Sequence, residues 1–342
     1  MSQRLRIAVL MGGRSHEHEV SINSGNGILS NLMPDRYEGL GVVIGKDGLW
    51  RIGSDAPRPM LEALQVLCPQ IDAVFLALHG PNGEDGTVQG LFHLLGTPFT
   101  GSDHFASSLA MNKPRTKDVY RAAGIATPDS VAVRQDQVER GLGSLPDEIA
   151  ARLGLPVVAK TTKLGSSVGV EIVRDVPRLA QILIDFMRYG SEVLVEQFIQ
   201  GREVTSPVID HPDQDRPVAL PLIEIRPRVS AWFDYEAKYK VGGSEEICPA
   251  PISPELTHTC QEIGLAAHRI LGCSGMSRTD ILIRDDGACF AIETNTIPGF
   301  TRTSLLPQSA AAAGISYPQL VDLLIREAVV RVKKRLRWEA GA

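Results

Sequence analysis

Residues 278 to 295 read Arg-Thr-Asp-Ile-Leu-Ile-Arg-Asp-Asp-Gly-Ala-Cys-Phe-Ala-Ile-Glu-Thr-Asn, two β-rich runs on either side of Asp285-Asp286-Gly287. An acidic pair ending in glycine between apolar alternations specifies a hairpin, and a hairpin fixes which side chains meet. Side chains alternate along a strand, so Glu293 and Asn295 share a face, and Asp280 reaches toward them from the other strand. Two carboxylates and an amide oxygen on rigid strands form a hard oxygen site suited to Mg²⁺, which keeps several waters and leans on phosphate oxygens. The plain alternative is a solvent-facing hairpin whose Asp and Glu hold nothing. The continuation Thr296-Ile297-Pro298-Gly299-Phe300-Thr301 favours a ligand, because no Cβ at Gly299 bars the backbone N–H groups from close approach.

At 342 residues the chain has room for two or three domains, and 43% apolar with 22% charged content fits a globular protein with a full core. A net charge of −5 gives no footprint for nucleic acid. The basic cluster Arg331, Lys333, Lys334, Arg335, Arg337 follows Leu320, Leu323, Leu324, Ala328, Val329 and Val332 at helical spacing. It reads as the cationic end of a packed C-terminal helix, where the helix dipole is negative. The 5 cysteines are scattered, odd in number and without Cys-x-x-Cys spacing, which points to reduced core residues of a cytosolic protein. Ile7 to Met11 is too short for a signal sequence and no run is long enough to span a membrane, so a cytoplasmic location is expected.

In chain order, Ile7 to Met11 reads as a buried strand entering a loop at Gly12-Gly13, with helical spacing from Ile22 to Leu32. The third glycine of a dinucleotide fingerprint is missing. His16-Glu17-His18-Glu19 reads as a polar loop or as substrate contacts before a metal site, because alternate loop residues do not converge and no third ligand is marked. Leu40 to Ile44 and Leu49 to Ile52 flank a turn, and Ala73 to Leu78 is a second buried strand. That strand delivers His79 onto a glycine-rich loop at its C-terminal end, where open α/β sheets bind ligands; a turn histidine and a substrate contact both fit. Helices are predicted over 87–95, with Glu84 and Asp85 at its N-terminus, and over 107–123, 136–152, 176–188 and 256–271. Strands are predicted over 130–133, 155–160, 169–173 and 193–196.

Lys160, inside an apolar strand, needs an anionic partner. The run Gly165-Ser166-Ser167-Val168-Gly169 after it fits a phosphate-covering loop and a glycine-rich hairpin equally, and it is not a Walker pattern. Glu196 to Glu203 mixes apolar surface with carboxylates, as an adenine and a ribose would want or as an ordinary strand and turn would have. Tyr235, Lys238 and Tyr239 in a polar segment between Pro227 and Gly242-Gly243 read as a lid.

Together these segments resemble the D-alanine:D-alanine ligases of the ATP-grasp superfamily over essentially the whole chain. The motifs are Gly12-Gly13-x-Ser15-x-Glu17-His18-Glu19-Val20-Ser21, Leu78-His79-Gly80-x-x-Gly83-Glu84-Asp85-Gly86, Lys160 with 165–169, Asp234-Tyr235-Glu236-Ala237-Lys238-Tyr239, and Arg278-x-Asp280 with Glu293-x-Asn295-Thr296-x-Pro298-Gly299. Each is weak alone; five in the family's order and spacing are specific.

The resemblance implies an α/β chain of three domains: an N-terminal parallel-sheet domain (1–106), then a central (107–191) and a C-terminal (192–342) ATP-grasp part whose antiparallel sheets sandwich ATP. It implies ligation of two D-alanines through a D-alanyl phosphate, for peptidoglycan precursor synthesis. Lys113 and Lys160 would contact ATP phosphates under a loop carrying Gly165, Ser166 and Ser167, and Glu196, Phe198, Ile199 and Glu203 would hold adenine and ribose. Asp280, Glu293 and Asn295 would hold two Mg²⁺, with Mn²⁺ able to substitute. Glu17 would take the first D-alanine's ammonium and His79 its carboxylate, while Ser166 and Tyr239 tie the lid to Glu17 and Lys238 reaches the transferred phosphate. Arg278 and the Gly299 backbone would hold the oxyanion, and Ser304 and Leu305 the second substrate's carboxylate. A homodimer through the first domain is also implied.

The chemistry agrees: a carboxylate becomes an acyl donor by phosphorylation, which needs charge neutralisation and alignment, and the tetrahedral intermediate needs preorganised donors. A closing lid keeps water from the acyl phosphate. Thr161 stands where the family commonly has Pro, Asn112 where Asp is usual and Phe300 where Met is common, which puts local loop geometry in question. Tyr239 is what dipeptide-forming members carry, whereas Phe goes with depsipeptide formation. The rival readings are an ATP-grasp ligase with D-serine, D-lactate or another amino acid as acceptor, and an idle nucleotide-binding homologue. The idle homologue should lack one of Lys160, Arg278 or Asp280, and all are present.

Overall fold

Three sheets carry the chain in a computed structural model, which describes residues 4–162, 169–227 and 243–341. The first sheet has the order β3-β2-β1-β4, from β1 (Leu5–Gly12), β2 (Tyr37–Ile44), β3 (Trp50–Ile52) and β4 (Ala73–Leu76). β1 is parallel to β2 and β4, and β3 turns back antiparallel on β2. The unbroken apolar runs of β1 and β4 follow from burial on both faces. Around this sheet lie α1 (His18–Leu29), α2 (Met60–Leu67) and α3 (Thr87–Leu94). α1 starts earlier than the Ile22 the sequence predicts, with Glu17 as its N-cap. The His16–Glu19 run is therefore split between a loop and a first helical turn.

The helix predicted over 107–123 is two: α4 (His104–Met111) and α5 (Lys113–Ala122). Asn112 leaves helical geometry at ψ 85° and accepts a hydrogen bond from Arg115 N, while Pro114 sits in the first turn, where its missing N–H costs nothing. Asn112 thus caps the helix whose first residue is Lys113. The helix predicted over 136–152 also divides, into α6 (Gln135–Glu139) and α7 (Leu145–Leu153), around Gly141 and Gly143 at positive φ.

The central sheet, order β5-β8-β6-β7, is antiparallel throughout. Its strands are β5 (Ser130–Arg134), β6 (Val157–Thr161), β7 (Val170–Val173) and β8 (Glu192–Gln197). Val157, Ala159, Val193 and Val195 face α7 and α8 (Val176–Phe186) in one apolar cluster. Burial of each of these valines stabilises by about 1.5–3 kcal/mol. By alternation Lys160 and Glu196 stand on the opposite face. Since β8 pairs with both β5 and β6, the boundary predicted before residue 192 falls ahead of a strand of this sheet. Thr161 donates its N–H to Gly169 O at 2.8 Å, a bond that the proline common at this position would forfeit.

The third sheet runs β12-β11-β9-β13-β14 with β10 beside β9. Its strands are β9 (Arg202–Ile209), β10 (Val218–Ala219), β11 (Ile223–Pro227), β12 (Ser244–Ile247), β13 (Met276–Ile283) and β14 (Cys289–Asn295). β13 and β14 are the hairpin the sequence predicts, closed by Gly287 N donating to Arg284 O, with Gly287 at φ 86°. One face, with Val204, Ile281 and Ile283, packs on α9 (Pro254–Ile270). α10 (Leu305–Ala312) and α11 (Tyr317–Gly341) then return to the first sheet, where Leu306, Leu320 and Leu324 join its core. Phe300 wedges edge-on between Phe75 and Tyr317, with ring centroids 5.3 and 5.4 Å away, so the aromatic ring fills the joint between the first sheet and the C-terminal helices.

Candidate active site

Strand register alone builds much of the site. Across β13 and β14, Arg278 faces Asn295 and Asp280 faces Glu293. Directly opposed residues share a face, so these four side chains stand on one side of the ribbon. Thr279 and Thr294 stand on the other, where their hydroxyls meet at 2.7 Å and Tyr120 of α5 bonds Thr294 at 2.5 Å. β9 extends the same face: Thr205 lies opposite Asp280 and donates to its Oδ1 at 2.7 Å, and Glu203 lies one residue pair further along.

Charges are tightly matched on this face. The Arg278 guanidinium grips both Asp280 oxygens, at 2.9 and 3.0 Å. Burial would lower the Arg278 pKa, but Asp280, Glu293 and Glu84 outweigh it and hold the guanidinium charged. Lys113 Nζ reaches Glu293 Oε2 at 3.2 Å. On the central sheet, Glu196 is buried between two ammonium groups, Lys117 at 2.8 Å and Lys160 at 2.6 Å. Burial would raise the Glu196 pKa; the two lysines overcome it and hold the carboxyl low. Lys160 is raised despite burial, by Glu196, Glu293 and Glu203 in turn. Lys117 is lowered to about 8, because burial dominates and Lys160 repels it. Its further partner is Thr127 Oγ1 at 2.8 Å.

The first domain contributes a second cluster. His79 leaves β4 into a turn where Ser15 Oγ donates to its carbonyl at 2.7 Å and Gly80 N donates to Glu84 Oε2 at 3.0 Å. The His79 ring lies 3.7 Å from Glu84 Oε1 and 3.4 Å from Ser24 Oγ. Burial opposes its protonation, but Glu84, then Glu17 and the Ile297 backbone, raise its pKa above the ordinary histidine value. A Cβ on Gly80, at φ 73°, would stand 3.1 Å from Glu17 Oε2, so the turn and that carboxylate are in close approach. The sequence predicts both Glu84 and Asp85 for the N-terminus of α3. The structure keeps Asp85 there, accepting from Thr87 N at 3.1 Å, and turns Glu84 to His79 instead.

Gly299 abuts Ser304, whose Oγ accepts from Thr301 N at 3.0 Å and opens α10 ahead of Leu305. Phe198 is half-buried and Ile199 buried just beyond β8. Gly165, Ser166, Ser167, Lys238 and Tyr239 lie outside the described residues. The structure therefore gathers Lys160, Glu196, Glu203, Arg278, Asp280 and Glu293 on the two sheets, Lys113 from the start of α5, and Glu17 and His79 from the start of α1 and the turn after β4.

Sequence reasoning missed Lys117. Its signal is a lysine at helical spacing with Lys113, Thr116 and Tyr120, a stripe that turns out to be buried. For a divalent cation, the fit rests on the kind of donors present. Among the described residues no three His, Cys, Asp or Glu side chains cluster as a protein-only metal site would need. The opposed Asp280 and Glu293 with Asn295 beside them instead supply a partial oxygen set, which matches an ion that takes its other ligands from water and phosphate.

Family comparisons cover both halves of the chain. The family described as D-ala D-ala ligase N-terminus matches residues 6–63 and 58–102, and that described as D-ala D-ala ligase C-terminus matches 119–326. The D-alanine--D-alanine ligase of Geobacter sulfurreducens is 42% identical over 329 residues, 96% of this chain and 95% of the relative. Among solved structures, the D-alanine-D-alanine ligase of Coxiella burnetii superposes with a TM-score of 0.84 at 27% identity, covering 99% of this chain and 98% of that one. The Bacillus anthracis D-alanine--D-alanine ligase complexed with ATP gives 0.78 at 33% identity, over 97% and 99% of the two chains. The VanG D-Ala:D-Ser ligase of Enterococcus faecalis gives 0.80 at 31%, over 94% and 99%. With its two sheet faces lined by lysine and carboxylate and both halves matched, the chain belongs to the D-ala D-ala ligase family and has the ATP-grasp fold.

Proposed function

We propose that this chain joins two molecules of D-alanine into D-alanyl-D-alanine with the hydrolysis of ATP, through a D-alanyl phosphate. The observation that carries this reading is the convergence of Lys113 and Lys160 on the face that bears Arg278, Asp280 and Glu293. Two cations there match a polyphosphate, and the opposed carboxylates match the divalent ion that accompanies it.

Glu17 and His79 take the ammonium and carboxylate of the first D-alanine, with Glu84 favouring the charged form of His79 against its burial. Lys113 and Lys160 bear on the ATP phosphates; both now rest on carboxylates, so each moves from a protein anion to a substrate anion without ever losing a charged partner. Lys117 keeps Glu196 neutralised when Lys160 turns to phosphate. Glu203, Phe198 and Ile199 line the nucleoside end. Asp280, Glu293 and Asn295 would hold Mg²⁺, two ions with Mn²⁺ able to substitute, which when bound neutralise the phosphate charge and align it for transfer. Arg278 and the Gly299 N–H stabilise the oxyanion of the tetrahedral intermediate, and Ser304 with Leu305 binds the second carboxylate at the N-terminus of α10. Ser166, Lys238 and Tyr239 keep the lid roles that the resemblance implies.

A second reading, D-serine as acceptor, draws on the likeness to the D-Ala:D-Ser ligase. ADP release measured with D-alanine, D-serine and D-lactate in turn separates the readings; if none stimulates turnover, the ligase assignment is wrong. We further propose a homodimer through the first domain, where Leu94, Leu95 and Phe105 are exposed on α3, just beyond it and on α4, and a cytoplasmic location. No described helix is long and apolar enough to cross a membrane.

A further inference from the structure

The face that carries Arg278 and Asp280 continues past β9 to the opposite edge of the sheet. Glu203 is opposed by Ile225 on β11, and Ile225 by Glu246 on β12, so Glu246 stands on this same face. Ile225 packs with Leu305, which brings this edge to the start of α10. Gln308, one turn past Ser304, closes the gap: its amide donates to Glu246 Oε2 at 2.5 Å and to Thr303 O at 2.6 Å. Glu246 is half-buried and feels the charge of Arg278. It therefore borders the space between Arg278, Gly299 and Ser304, where the second amino acid is placed by the function proposed above, on which this inference rests.

That amino acid arrives as an ammonium, and only the neutral amine is a nucleophile. The neighbouring groups are poor places for the proton. Arg278 is a cation, Asp280 is gripped by Arg278 and Thr205, and Glu293 faces Lys113. The Glu246 carboxylate accepts its hydrogen bond from a neutral amide, that of Gln308. We propose that Glu246, oriented by Gln308, takes the proton from the acceptor's ammonium. The amine lone pair then attacks the acyl carbon and the C–N bond forms; the nitrogen's second proton passes to the departing phosphate, which leaves as hydrogen phosphate with the electron pair of the acyl C–O bond. The proton passes from Glu246 to solvent before the next turnover. Burial raises the Glu246 pKa and outweighs Gln308 and Arg278, which lower it, so the carboxylate is more basic than an exposed one. The groups facing it are Gln308 from α10, Arg278 from β13 and the apolar Ile225 from β11, with the Glu203 carboxylate of β9 beyond Ile225 on the same face.

Hydroxylamine tests this, because it traps D-alanyl phosphate as a hydroxamate and attacks as a neutral amine that needs no deprotonation. Glu246→Gln should lower the acceptor kcat/KM for dipeptide about 100-fold and leave ATP-dependent hydroxamate formation within about twofold of the parent protein. The acid limb of the dipeptide rate should vanish with it. Glu246→Asp should restore part of the rate, and Gln308→Leu should lose roughly tenfold in the dipeptide step alone. Parallel loss of hydroxamate and dipeptide, or unchanged dipeptide formation in Glu246→Gln, overturns the proposal. Absence of hydroxamate from the parent protein with D-alanine and ATP overturns the ligase reading itself, and this inference with it.

Discussion

Lys160 and Glu196 are diagonal neighbours on one face of the central sheet, and their ion pair at 2.6 Å is completed from outside the sheet by Lys117 of α5. A carboxylate at 2% exposure would be untenable with neither cation, since a buried unpaired charge costs far more than a hydrogen bond returns. With two lysines, one can leave for a substrate anion while the other stays. Under the proposed function, the arrangement would couple nucleotide binding to the position of a helix that also carries Lys113.

Lys117→Met should therefore destabilise the fold by about 1.5–3 kcal/mol, because it removes one of the two cations bonded to a fully buried carboxylate. Denaturant unfolding measures the loss. The KM for ATP should rise as well, since Lys160 would then be retained by Glu196. A variant as stable as the parent protein would show that Lys160 alone satisfies Glu196.

Glu293→Ala should remove turnover by a factor of roughly 10² to 10³, equivalent to several kcal/mol of transition-state charge stabilisation. The fold should persist, because the hairpin is held through Thr279, Thr294 and the ladder rather than through this side chain. Circular dichroism and ADP release with Mg²⁺ titrated from zero would check it. Near-normal rates with an unchanged Mg²⁺ requirement would remove Glu293 from the site.

For Glu84→Gln, the sign follows from the His79 pKa, which is raised in the fold above 6.5. The folded state then binds the proton more tightly than the unfolded one, so the stabilisation is full below 6.5 and is lost as pH rises through the folded value. The variant should lose stability near pH 6 and little near pH 9, and its KM for D-alanine should rise at neutral pH as His79 discharges. Unfolding curves at the two pH values and histidine NMR titration test both parts; equal loss at the two pH values would show that Glu84 acts only through Gly80 N.

Tyr120→Phe should cost about 1 kcal/mol by deleting the buried hydrogen bond to Thr294. Because that bond ties α5 to the back of β14, a modest rise in the KM for ATP should accompany it. An unchanged KM with the expected loss of stability would mean that the helix and hairpin are registered by packing alone.

The sequence by itself determined the local pieces. Alternation and the Asp-Asp-Gly turn set the hairpin, and the parity of a strand then obliged Asp280, Glu293, Asn295 and Arg278 to share a face. The buried lysine at 160 announced an anionic partner for the same kind of reason: a charge in an apolar strand has to be answered nearby. Tertiary structure decided which partner answers. Glu196 lies on a strand that reaches Lys160 only because β8 threads between β5 and β6, and Lys117 arrives from a helix whose boundary at Asn112 is hidden in a continuous helical pattern. Likewise Glu84 turned from the helix end to His79, and Glu246 met Gln308 across two elements distant in sequence. Periodicity and turn chemistry are short-range and can be read in a window of residues. The meeting of distant strands and helices is settled by the packing of the whole chain, which no window contains.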